Sequence, residues 1–184
     1  MKKSAFTVLI TFAMVLALSS QTQAQNPVVH KKISDNRASL TLPVSGKEIS
    51  INYGTPAWGE TDRLAQAPEG FVWRLGMNEA TELHTGIPLA FGEKTLPAGK
   101  YSLAMRHVKD GTWELLVNSE TGQWGGPKDR SKDVAVIPMT MKKVENTAEI
   151  LKLDIVQEMG SGGLNIMWGP YVVSTGFAVR QTEN

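Results

Sequence analysis

The sequence predicts an all-β fold, an antiparallel β-sandwich of jelly-roll or immunoglobulin-like type, preceded by an N-terminal signal-peptide helix. Three observations predict it. Apolar and polar residues alternate with period two over several short runs, turn signals recur about every ten residues, and no segment of ten or more residues after Gln25 carries a helical stripe.

The elements follow in chain order. Lys2 and Lys3 open a run that is apolar from Ala5 to Leu18 apart from Thr7 and Thr11, and small and polar residues then lead to Thr22-Gln23-Ala24. This is the three-part pattern of a secretion signal cleaved after Ala24. A membrane-spanning anchor needs about 20 consecutive apolar residues, and the run breaks at Ser19-Ser20-Gln21. Residues 1–24 are thus read as signal peptide, 25–38 as a polar lead-in, and 39–184 as a single β domain.

Within that domain, Ile49, Ile51 and Tyr53 alternate with Glu48, Ser50 and Asn52, as a half-buried strand requires. Tyr101, Leu103 and Met105, then Trp113, Leu115 and Val117, repeat the pattern on either side of an Asp110-Gly111 hairpin turn. Ala148 to Val156 is a further strand with Leu151, Leu153 and Ile155 on one face. Leu164 to Trp168 and Tyr171 to Val179, separated by Gly169-Pro170, read as a closing hairpin. Leu96 to Gly99 is a turn and Gly160 to Gly163 a flexible connector. Pro56 to Gly70 is the longest irregular stretch, and long loops on β scaffolds often carry function.

Composition bounds the functions open to such a domain. Cleavage would leave 160 residues with 17 basic against 18 acidic side chains, a nearly neutral chain. That gives no support for nucleic-acid or anionic-membrane binding by bulk charge. The chain has no cysteine, which excludes disulfides, thiolate metal sites, a cysteine nucleophile and lipid attachment through cysteine. A soluble periplasmic or secreted protein is the expected setting.

Standard catalytic signatures are missing: no Gly-x-Ser-x-Gly elbow, no phosphate-binding loop and no His-Glu-x-x-His. His30, His84 and His107 show no metal-ligand spacing, so neither a metal nor a cofactor is expected. Trp113 and Trp168 fall in phase with apolar strand neighbours and read as core. Trp58 and Trp124 lie among turn residues, where a ring either stacks on a planar ligand or folds back over the end of the sandwich.

The most distinctive segment is VWRLGMNEAT, residues 72–81. It sets Trp73, Arg74, Asn78 and Glu79 into a short, otherwise apolar stretch. Arg74 and Glu79, if both drawn inward, would have to pair, because an unpaired buried charge is costly. The cluster is either a structural network at an irregular crossing or the polar floor of a pocket walled by Trp73.

This segment, with LPAGKYSL (96–103) and WELLVNSETGQWG (113–125), resembles the bacterial exported family known as domain of unknown function 2911. The likeness runs from about Ser39 to Val179. The family pattern places threonine and alanine where this chain has Leu75 and Met77, and a tyrosine and an acid after Trp124-Gly125, where this chain continues Gly126-Pro127-Lys128-Asp129. The resemblance implies export and a compact β domain, and no reaction.

The expectation is a non-catalytic exported module that binds a small molecule, glycan or envelope partner, with Trp73, Arg74, Asn78, Glu79, Trp124 and Trp58 forming or bordering the site. The rival is a hydrolase in which Glu79 acts as general acid or base and Arg74 steadies an anion. A third reading is a structural or assembly module without a ligand.

Overall fold

The structure, a computed structural model, describes residues 27–109, 111–158 and 161–179. The predicted signal peptide lies outside them. Among the described residues eleven strands make one antiparallel sheet: β1 (Val29–Ser34), β2 (Arg37–Val44), β3 (Lys47–Gly54), β4 (Val72–Trp73), β5 (Thr81–Thr85), β6 (Leu89–Phe91), β7 (Lys94–Leu96), β8 (Gly99–Lys109), β9 (Thr112–Asn118), β10 (Asp133–Glu158) and β11 (Ser161–Val179). The order across the sheet is β1-β2-β3-β5-β8-β9-β10-β11-β6-β7, with β4 paired to β8 off this path. The helical content of the described residues is one 3-10 turn, Arg130–Lys132.

The sandwich character arises because this single sheet folds over itself. At about 3.3 Å per residue, the 26 residues of β10 would reach about 85 Å if straight, against a radius of gyration near 15 Å for a domain of this size. The strand must bend, and its ladder with β11 is irregular between Lys143 and Lys152. Its first half pairs with β9. Its second half lies against the start of the sheet, where His30 Nε2 meets Asp154 Oδ1 at 3.1 Å and Ala57 bridges Ile150. The inward rows of both arms form one core: Ile137 and Met139 before the bend, Leu151, Leu153 and Ile155 after it, facing Leu40, Ile51, Leu103 and Trp113. Each such aliphatic side chain contributes about 1.5–3 kcal/mol by leaving water.

Two local readings change. The polar lead-in contains the edge strand β1, whose six residues are all exposed and include Lys31 and Lys32. Charged side chains of this kind keep an open edge from recruiting further strands. The expected closing hairpin at Gly169-Pro170 is instead a corner within β11. Both arms stay on the same long partner, Leu164 opposite Ile155 and Tyr171 opposite Lys143. The buried face passes from Leu164, Ile166 and Trp168 to Tyr171 and Val173, so the alternation of β11 shifts phase at Gly169, whose φ is +55°, while the extra residues of the ladder lie in β10 between Lys143 and Lys152. A bulge does this; a turn would have separated the arms. Of the expected connector Gly160 to Gly163, Gly160 lies outside the described residues, and Ser161 to Gly163 are strand residues paired with Glu158, Gln157 and Val156 of β10.

Candidate functional site

The 72–81 segment takes its form from backbone constraints. Val72 and Trp73 extend the sheet by pairing with Arg106 and Met105 of β8. The chain then turns sharply: Leu75 has φ +53°, Gly76 +148° and Asn78 +63°. A left-handed leucine costs about 1–2 kcal/mol. It is held because its side chain is fully buried and its carbonyl accepts the Thr81 hydroxyl at 2.5 Å. Asn78 tolerates this region better than most residues, and its carbonyl accepts the Gly125 amide at 2.8 Å. Gly54, at the end of β3, lets the segment come close, since a Cβ there would sit 2.2 Å from the Met77 carbonyl oxygen.

Arg74 and Glu79 are not drawn inward and do not pair with each other. Both side chains are exposed, and Glu79 Oε2 pairs with Arg37 Nη1 at 3.2 Å. The physical reason is the pair of left-handed turns, which leave the two residues on different sides of the segment. Arg37 also donates to the Ala80 carbonyl at 2.9 Å, so the Glu79 side serves to tie β2 to the start of β5.

The Arg74 side opens on a pocket. It lies beneath the Pro56–Gly70 loop, encloses about 560 Å³ and is lined by Trp73, Phe71, Leu64, Met77 and Trp168, with Arg63 and Arg74 at its polar parts. That volume is within the usual range of about 300–1,000 Å³ for small-molecule sites. Trp73 stacks on Trp168 with centroids 4.9 Å apart and planes at 13°, and Trp58 meets the same ring edge-on at 4.9 Å and 88°. Such pairs add about 0.5–1.5 kcal/mol each beyond burial, so the wall is preformed.

The loop above the pocket is anchored at both ends. The Trp168 indole donates to the Pro56 carbonyl at 3.0 Å, Trp58 N donates to Glu149 O, and Gly70 N donates to His107 O. Midway, Tyr171 donates its hydroxyl to Asp62 Oδ2 at 2.7 Å, and Asp62 Oδ1 receives the Ala65 amide. That hydrogen bond, together with burial and the carboxylate charge, raises the Tyr171 phenol above its ordinary pKa. Leu64 and Ala67 turn down into the core.

The remaining predicted residues separate from the pocket. Trp58 packs over Trp168 and Tyr171 at the end of the sandwich and does not line it. Asn78 and Glu79 belong to the crossing. Trp124, 65% exposed, bridges Glu79 by backbone pairing on the outer face. Its loop is docked by a polar row running across the strands. Gly122 N donates to Glu82, Gln123 Nε2 donates to Ser102, and buried Asn118 bonds Asp129 O, Asp133 Oδ1 and the Glu120 amide. The WELLVNSETGQWG motif is explained by this docking. Arg63, Phe71 and Trp168 were not singled out from sequence as site residues. For Arg63 the available signal was its place in the long loop; Trp168, in phase with Leu164 and Ile166, carried only a core signal.

The histidines stay apart: His30 beside Asp154, His84 exposed on β5, and His107 against Trp113 with ring centroids 5.0 Å apart. Among the described residues no group of three or more His, Cys, Asp or Glu side chains is placed to hold a metal.

A family model described as protein of unknown function (DUF2911) matches residues 35–177. No curated protein and no solved structure matches the chain. With the match spanning most of its length, and the three motifs at its centre, the chain belongs to that family.

Proposed function

We propose that this family member is an exported, non-catalytic module that binds a small organic molecule in the pocket beneath the Pro56–Gly70 loop. The observation that carries the reading is the cavity of about 560 Å³ with a rigid indole wall, Trp73 stacked on Trp168. Sites of this kind bury most of an apolar ligand and orient it with a few polar groups, and here Arg63, Arg74, Thr61 and Gln66 are those groups. The hydrolase reading draws less support, because Glu79 lies outside the pocket and is engaged by Arg37. Export rests on the sequence of residues 1–24.

Trp73 and Trp168 are natural reporters. A screen of small aromatic and acyl compounds, read by quenching of tryptophan emission and by melting temperature, is expected to give saturable one-to-one binders. Trp73→Ala should weaken them about tenfold or more, the loss of one stacked aromatic contact and its buried area. If no compound saturates, or if Trp73→Ala binds every hit as well as the parent, the pocket is not the site.

A further inference from the structure

We infer that the ligand of this pocket is an organic anion: a flat or acyl apolar body ending in an oxyanion headgroup that Arg63 and Arg74 receive. The inference rests on the pocket reading above and names its ligand class.

Charge pairing across the molecule separates these two residues from the others. Five arginines lie among the described residues, and three of them are in ion pairs: Arg37 with Glu79, Arg106 with Glu114 and Arg130 with Asp133. The two that have neither an ion pair nor a side-chain hydrogen bond with any described residue, Arg63 and Arg74, line the same cavity. They come from different elements, one from the loop and one from the segment after β4, so their meeting in one lining is not a consequence of sequence proximity.

Among the described residues the rest of the lining contains no carboxylate. Asp62, next to Arg63, is directed away into its hydrogen bonds with Tyr171 and the Ala65 amide. Glu60 and Glu69 are exposed on the same loop and do not line the pocket. The site thus joins an apolar aromatic floor to two guanidinium groups that have no counter-charge among the described residues. Guanidinium groups pair with carboxylate and phosphate oxygens through two parallel hydrogen bonds. A neutral ligand would leave both charges uncompensated beside it, whereas an anion with an apolar body satisfies floor and rim together.

The test is a series of one body with different charge. Naphthoate, naphthyl phosphate, naphthyl-methanol and naphthyl-methylammonium are titrated calorimetrically into the purified protein. At least one anion is expected to bind about tenfold more tightly than the alcohol, the worth of one charge-assisted hydrogen bond at a partly exposed site, and the ammonium more weakly than either. The tighter of the two anions identifies the headgroup. Arg63→Gln combined with Arg74→Gln should bring anion and alcohol to within about twofold, and rising salt should narrow the gap in the parent as well. Both side chains are exposed, so the double variant is expected to fold, and the parent series needs no variant at all. Equal binding of the charged and neutral compounds overturns the anion inference while leaving the pocket intact. So does a preference that survives both substitutions. No saturable binding by any of the four overturns the pocket reading with it.

Discussion

Gly54→Ala tests whether the 72–81 crossing is held as tightly as its geometry implies. The added methyl would lie 2.2 Å from the Met77 carbonyl oxygen and 2.7 Å from its nitrogen. Carbon–oxygen contacts settle near about 3.3–3.6 Å, so either β3 or the backbone at Met77 must retreat by about 1 Å. Neither moves freely. Leu75 is buried with its carbonyl on Thr81, and Asn78 is bonded to Gly125, both within three residues of the collision. Overpacking costs about 1–3 kcal/mol, and weakening one of those bonds adds about 1 kcal/mol. The expected loss is therefore about 2–4 kcal/mol, or a melting temperature lower by about 5–15 °C for a domain of this size. Gly59→Ala is the control, because a Cβ there meets nothing within 4 Å; it should stay within about 0.5 kcal/mol. Urea unfolding followed by tryptophan emission measures both. A difference below about 1 kcal/mol between the two variants would refute the reasoning, since it would mean the crossing yields where its hydrogen bonds say it should not.

Two further outcomes are expected. Tyr171 holds the loop to β11 through Asp62, and its folded pKa stands above the ordinary 10.0, so the contact contributes fully below pH 10 and is lost as the pH rises through the raised value. An alkaline step in the emission of the neighbouring Trp58 is expected in the parent and should vanish in Tyr171→Phe; an unchanged step would detach it from this tyrosine. Asn118→Ala removes three hydrogen bonds of a fully buried amide, at about 1 kcal/mol each, and should expose the 119–132 loop to protease before the core unfolds.

The fold was legible where alternation meets burial on one face. Ile49, Ile51 and Tyr53, or Trp113, Leu115 and Val117, follow period two because one side of the sheet is core and the other is not. The corner at Gly169 was misread because glycine followed by proline marks both a turn and a bulge, and only the partner strand distinguishes them. That partner is β10, whose own bend over residues 142–147, exposed apart from half-buried Val144, carries no apolar pattern. Edge strand β1 was illegible for the opposite reason. With neither face buried it has no alternation to show, and its polarity is what an edge requires.

The candidate site divides along the same line. Residues 72–81 stood out as one cluster, yet the three positive φ angles between Leu75 and Asn78 split it into two faces with different work. Asn78, Glu79 and Ala80 fasten the crossing to Gly125, Arg37 and Gln123, while Trp73, Arg74 and Met77 open on the pocket. A linear motif conceals such a division, because adjacent residues in left-handed turns do not share a face. The other half of the pocket comes from Arg63 in the loop and Trp168 in β11, far off in sequence, whose only local signals were irregularity and apolar phase. What joins these parts is charge: an arginine on the loop and an arginine on the motif, neither in an ion pair with a described residue, line one cavity beside an indole wall. That relation has no sequence pattern, and it is the one that gives the pocket a ligand chemistry to test.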